Sequence, residues 1–265
     1  MQIWLRSSLL DEDCDRRLAA KQWPKLLEKH GFELTKRANN IGAALGRAAH
    51  RVFAAQLRLK RDAGVHSDYL AGVGDSMALF DQEVKDEGIE VDQTTPSRDD
   101  AVSQIAAMAK EFNGGYLPYA TPQLIEEELA IWKDRDRQVM LTTTPDHCST
   151  AGDVDDFKTG AREPVAPYQL GQQAIILAEH GYKAKRVSTI WIPRPGNKDL
   201  MRRSWPLKEA KEAAESRVEH LVASFREYEK ERSPLAFDAN PQSMTCDKRF
   251  CPAFATAFCP LTKEV

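Results

Sequence analysis

The chain has 265 residues, 42% of them hydrophobic and 29% charged. That is the composition of a folded globular protein and excludes a disordered or fibrous one. Its net charge of -3 excludes a positive whole-molecule field as the means of holding nucleic acid, so any phosphate contact has to be local.

The first predicted elements are helices. "DEDCDRRLAAKQWPKLLEKHG" carries Leu18, Ala19, Trp23, Leu26 and Leu27 near helical spacing, with a break at Pro24 and a stop at Gly31. "NNIGAALGRAAHRVFAAQLRLKRDAG" places Ile41, Leu45, Ala48, Ala49, Val52, Phe53 and Leu57 on one stripe of period 3.6. "SRDDAVSQIAAMAKEFNGG" opens on Ser97 and Asp100 as a cap and ends at a glycine pair. The character then changes. "QLIEEELAIWK" and "RQVMLTTTP" predict two strands about the polar turn "DRDR", and "GDVDDFKTG" predicts a third, with Asp153 in the turn. "YQLGQQAIILAEHGY" predicts a helix and "KRVSTIWIPRPG" a strand that breaks at Pro-Gly. "PLKEAKEAAESRVEHLVASFREYEKER" is a helix striped by Leu207, Ala210, Ala214, Val218, Leu221, Val222, Phe225 and Tyr228. The order predicts a mixed α/β protein in one domain over 1–265: a mainly helical region 1–115, an α/β core 116–232 and a cysteine-rich tail 233–265.

No apolar run approaches the ~20 residues that span a bilayer. "MQIWLRSSLLDEDCDRR" turns acidic too soon for a signal peptide. The expectation is a cytoplasmic protein with no membrane partner. Its five cysteines are an odd number and argue against a disulfide framework. Three of them crowd the last 20 residues, a clustering that suits metal.

The stretch "TTTPDHCSTAGDVDDFKTG" gathers Asp146, Asp153, Asp155, Asp156 and Lys158. Hard divalent cations such as Mg²⁺ and Mn²⁺ take carboxylate oxygens, and two aspartates on adjacent strands can point at one ion. Asp156 and Lys158 stand two apart on a strand, so both share one face. Asp155 faces the other way. An ammonium beside such an ion can orient water and stabilise charge on a phosphate. A polar hairpin with solvated acids is the competing reading of the same residues, and Asp153 and Asp155 fit it.

Pro145-Asp146 followed by Asp156-Phe157-Lys158-Thr159-Gly160, with a helix opening on Gln169-Leu170, resembles the PD-(D/E)XK nuclease superfamily in its RecB-type branch. Gly46 and His50 in "GRAAH" resemble that branch's G-x-x-x-H helix motif, and "YATPQLIEEELAIW" resembles the strand before its core hairpin, with an acid among Glu126 to Glu128. The resemblance implies a restriction-endonuclease-like core, a mixed β-sheet flanked by helices. It implies Asp146, Asp156, His50 and the Phe157 carbonyl as ligands of Mg²⁺ or Mn²⁺, Lys158 as the residue that positions water, and Gln169 in support of Lys158 or of the nucleic acid. Gln173 stands where the branch commonly has tyrosine.

Cys14 in "SSLLDEDCDRRL" and Cys246, Cys251 and Cys259 in the tail resemble the four cysteines of the iron–sulfur members of that branch, though their spacing in the tail is wider than is usual there. Four thiolates suit a [4Fe–4S] cluster or, alternatively, structural Zn²⁺, and either would tie the tail to the first helix. Cys148 is left over as a buried residue near the site. The implied activity is metal-dependent DNA hydrolysis, by an exonuclease acting on single strands or DNA ends, with a helicase or recombination partner. Arg47, Arg51, Arg202 and Arg203 are candidate phosphate contacts. The alternative is a catalytically weak module of the same fold that holds DNA ends or a partner.

Overall fold

The computed structural model describes residues 2–35, 40–134, 136, 138–160, 167–194 and 199–260. Arg135 and Arg137 of the polar turn, the Pro195-Gly196 break and the last five residues of the tail lie outside them. The protein is mixed α/β, with two mixed sheets flanked by helices.

The five-stranded sheet runs β2 (Pro122–Leu124), β5 (His147–Ser149), β6 (Asp153–Lys158), β7 (Arg186–Trp191) and β8 (Met201–Trp205). Strands β6 and β7 are parallel and the other neighbours antiparallel. A three-stranded sheet runs β1 (Ile3–Arg6), β4 (Val139–Thr143) and β3 (Leu129–Trp132), with β1 parallel to β4. The register sets Ile3 beside Val139, so the first strand is completed by one far along the chain.

Strand β6 is buried along its middle rather than alternating, because both of its faces are covered. On one face Val154 packs with Leu170, Ala174 and Leu177 of α6 (Tyr168–Glu179). On the other, Phe157 packs with α3 (Ile41–Ala63) and α5 (Arg98–Gly115), its ring set edge-on to Phe53 and Phe112. The stripe predicted for α3 is buried in full, from Ile41 through Leu57. Ser97 caps α5 as expected, its Oγ accepting the Asp100 N–H at 3.2 Å. Pro24 divides α1 (Asp15–Gln22) from α2 (Pro24–Lys29), and α4 (Val73–Glu87) lies against α3.

Helix α6 packs closely on α7 (Leu207–Glu231) at Gly171, where a Cβ would overlap the Ala210 carbonyl oxygen and crowd the Ala214 side chain. Gly171→Ala is therefore expected to force the helices apart and cost about 1–3 kcal/mol. Thermal unfolding followed by circular dichroism checks it.

Three expectations need correction. "QLIEEELAIWK" is two strands in different sheets, since Leu124 serves one core and Leu129 lies between two. The chain turns between them at Glu126, whose φ is 47°. Asp153 is the first residue of β6, not part of the turn, and pairs with Arg186 at 2.8 Å. Strands β1, β5 and β8 carry no predicted counterpart: they are short, and β8 is an edge strand exposed from Met201 to Ser204, with Trp205 alone of its residues partly buried against the core.

Among its described residues the tail has a single 3-10 turn and otherwise irregular backbone. Packing holds it: Phe237 and Phe258 enter the core formed by Phe225, Tyr228 and Leu18.

Candidate metal centre

Asp146 lies just before β5, and its carboxylate is fixed from two sides. Oδ2 accepts the Phe157 backbone N–H at 2.6 Å, and Oδ1 lies 3.1 Å from His50 Nδ1 on α3. Glu126 completes the group: one donor atom each from His50, Glu126 and Asp146 lie within 4.8 Å of one another. Glu126 reaches this place because its N–H bonds the Pro145 carbonyl at 3.0 Å, which ties the turn between β2 and β3 to the residue before Asp146. Its left-handed backbone is a strained state for a residue with a Cβ. The sequence pointed to an acid among Glu126 to Glu128, and the structure singles out Glu126.

Asp156 and Lys158 share a face of β6, as the period of two requires. Lys158 Nζ stands 2.8 Å from Asp156 Oδ2. Gln169, in the first turn of α6, closes a triangle: its Nε2 donates to Asp156 Oδ1 at 2.6 Å and its Oε1 accepts from Lys158 Nζ at 2.8 Å. Gly46 makes room nearby, since a Cβ there would stand 3.1 Å from Thr159 Oγ1. His50, Asp146, Asp156, Lys158 and Gln169, predicted from three separate stretches, are thus brought to one place. Phe157 contributes its N–H to Asp146 and its ring to the core.

The charges are unbalanced toward the acids. Burial, with the charge of Asp146 added, raises the Asp156 carboxyl above its ordinary value against the pull of Lys158. Burial and Asp146 likewise raise Glu126. Burial also opposes ionisation of Asp146, but His50, Lys158 and the Phe157 N–H outweigh it and hold that carboxyl low. Burial disfavours the charged forms of His50 and Lys158, yet the facing carboxylates outweigh it and raise both. Three carboxylates of which two are held high form a site that a divalent cation would relieve, and oxygen donors with one imidazole suit Mg²⁺ or Mn²⁺.

Gln173 is fully buried, and among the described residues neither of its amide atoms has a partner. An unpaired buried amide costs about 1–3 kcal/mol. Gln173→Met, of similar shape and without the amide, is expected to raise the melting temperature, and a thermal scan checks it.

The four arginines read as phosphate contacts are engaged within the protein. Arg47 and Arg51 both pair with Glu83 of α4. Arg203 lies over the Trp205 ring. Arg202 pairs with Asp155 at 3.1 Å. Asp155 is itself a correction: it faces away from Asp156 but is 1% exposed, not solvated. Its Oδ2 also accepts from Tyr116 Oη at 2.6 Å, and His147 Nδ1 lies 2.7 Å from that hydroxyl. This network locks β5 to β6 behind the site.

Cys14, Cys246, Cys251 and Cys259 line one small cavity with Arg17, Asn240 and Phe254. All are buried thiols. Cys14 Sγ accepts the Asn240 N–H at 3.5 Å, and Arg16 Nη1 points at Cys259 Sγ from 3.9 Å. Burial raises the Cys251 thiol, and the neighbouring Cys14 and Cys259 raise it further. Among the described residues no three of the sulfurs lie within 4.8 Å of one another. Cys148 lies apart in β5, and burial with the nearby Asp155 and Asp146 pushes its thiol to about 12. A second histidine–carboxylate group, Asp15, His220 and Asp238, is already engaged: Asp15 pairs with Arg217 at 2.5 Å and His220 at 2.7 Å.

No helix among the described residues is long and apolar enough to cross a membrane. No family model matches the sequence, and no curated protein matches it. Among solved structures, the crystal structure of SSO0001 is similar at 12% identity and a TM-score of 0.31, over 75% of this chain and 82% of that one. A likeness that slight carries no argument about fold or activity.

Proposed function

We propose that the chain is a metal-dependent DNA nuclease with a restriction-endonuclease-like core, acting as an exonuclease on single strands or DNA ends. The observation that carries this reading is the convergence of His50, Glu126 and Asp146 beside the triangle of Asp156, Lys158 and Gln169. The resemblance to the RecB-type branch of the PD-(D/E)XK nucleases supports it, as does the arrangement of the mixed sheet, with α3 on one face and α6 on the other.

His50, Glu126, Asp146 and Asp156, with the Phe157 carbonyl, would hold Mg²⁺ or Mn²⁺, which when bound supplies a Lewis acid for a phosphodiester and lowers the pKa of water. Lys158 holds the attacking water in line and places a positive charge beside the phosphate oxygens. Gln169 sets the ammonium at a fixed height by accepting from it while gripping Asp156. The buried Asp155 network keeps the two strands in register, so that Asp146 and Asp156 keep their spacing. Four cysteines around one cavity would hold a [4Fe–4S] cluster as a staple between α1 and the tail. The protein would work in the cytoplasm, with unwinding left to a helicase or recombination partner.

End-labelled single- and double-stranded DNA, incubated with Mg²⁺ or Mn²⁺, tests the reading; mononucleotides or short products released only with metal are expected. A second reading has one observation in its favour: all four arginines expected to meet phosphate are engaged within the protein. On that reading the chain holds DNA ends or a partner and cuts poorly. Retention of DNA without metal and without product would establish it and overturn the first.

A further inference from the structure

The segment between β1 and α1 reaches the site from a direction the motifs do not suggest. Asp11 Oδ1 accepts the backbone N–H of Gln169 at 3.0 Å. Helix α6 begins after Pro167, which supplies no side-chain cap. One of the orphan donors of its first turn is therefore met by a carboxylate 158 residues away in sequence. A carboxylate there also suits the positive end of the helix. The residue it caps is the one whose amide grips both Asp156 and Lys158.

The strap that carries Asp11 is itself fixed at successive points. Arg217 of α7 donates to the Leu10 carbonyl at 3.4 Å and to the Glu12 carbonyl at 2.9 Å. Asn240 and Ser243 of the tail hold Asp13, through its carbonyl at 3.0 Å and its carboxylate at 2.7 Å. Cys14 follows and lines the cysteine cavity. Only Glu12 and Asp13 thus separate the cap on Gln169 from a candidate cluster ligand. Asp11 sits in a largely buried place, and burial raises its carboxyl to about 6 against the hydrogen bond from Gln169 and the charge of Lys158. A carboxylate kept where burial disfavours its charge is one that the fold retains at a cost.

We propose that Asp11 is a positioning residue: by capping Gln169 it sets the placement of Lys158 and Asp156, and it ties that placement to the strap anchored at the cysteine cavity. The inference rests on the nuclease reading above and adds to it a residue to which the resemblance assigns no role. Asp11 touches neither the reacting phosphate nor the candidate metal; it acts through Gln169.

The experiment compares Asp11→Ala, Asp11→Asn, Gln169→Ala and the double variant Asp11→Ala/Gln169→Ala in the full chain with its metal sites loaded. Steady-state cleavage of end-labelled DNA is measured alongside hydrogen exchange at the Gln169 amide. Asp11→Ala is expected to lower kcat by about tenfold to a hundredfold with KM little changed, as for a misplaced group. The Gln169 amide should exchange faster in that variant. Asp11→Asn keeps an acceptor and should restore both the protection and most of the lost rate. In the Asp11→Ala background, removing Gln169 should cost much less than it does in the parent, because the two act as one. An Asp11→Ala protein that cuts like the parent, or losses that simply multiply in the double variant, overturns the proposal. So does a rate loss without faster exchange at Gln169. A parent that cuts no DNA sinks the nuclease reading and this inference with it, whereas a cutting parent with an indifferent Asp11→Ala sinks this inference alone.

Discussion

On the proposed nuclease reading, Lys158→Ala is expected to lower kcat for DNA cleavage by about 10²–10⁴-fold, the range for losing a positioned proton-transfer or charge-stabilising group. The placement of Lys158 is the reason to expect a large loss that falls on chemistry. Lys158 is held by two partners, Asp156 at 2.8 Å and the Gln169 carbonyl oxygen at 2.8 Å. The ammonium therefore stands preorganised, and no reorganisation is needed as charge develops on the phosphate. Lys158→Arg is not expected to rescue, because a planar fork replaces a compact charge in a triangle built for the latter. The Lys158 side chain is about a third exposed but its partner Asp156 is buried, so the variant leaves a buried carboxyl without its cation and carries a stability cost that is measured separately from the rate. Circular dichroism confirms the folding, and timed cleavage of 5′- and 3′-labelled strands reads the rate. Cutting by Lys158→Ala at the parent's rate would remove Lys158 from the proposed chemistry.

On the reading that the four cysteines hold a metal, Cys14→Ala is expected to lower the melting temperature by more than 10 °C, whereas Cys148→Ala should shift it by a few degrees. Structural metal sites contribute about 10–16 kcal/mol to small domains that fold around them, and losing one of four ligands forfeits a sizeable part. Both cysteines are buried, so burial does not distinguish them; their surroundings do. Cys14 shares a cavity with three other thiols, while Cys148 sits alone in β5. Anaerobically purified protein should be brown and carry four irons per chain, and Cys14→Ala should lose colour together with stability. Colourless protein with one zinc would replace the cluster with a zinc staple and leave the stability difference intact.

The elements that read clearly from sequence are those whose pattern is local. The stripes of α3 and α7 follow from side chains three and four apart, and the shared face of Asp156 and Lys158 from the pleat of one strand. What did not read is set by distant partners. Nothing near Ile3 announces that Val139 will pair with it. Nothing near Asp11 points to Gln169. Glu126 was one of three adjacent acids, and only the bend between two sheets chooses it. Arg202 shows the converse: its charge is plain in the sequence, but the buried Asp155 that takes it is not. The four cysteines were legible as a group because so few residue types do what a thiolate does.

The wide separation of paired parts also bears on the order in which the chain is made. Cys14 emerges from the ribosome 245 residues before Cys259. At roughly 5–20 residues per second, that is a wait of about 12–50 s. During it Cys14 is an unpaired thiol, β1 lacks β4 for the first part, and α6 is made long after the residue that caps it. Iron or zinc offered early meets one ligand of four. On the cluster reading, delivery comes last, after synthesis of the tail, so expression that outpaces the iron supply should yield full-length chains with thiols open to oxidation.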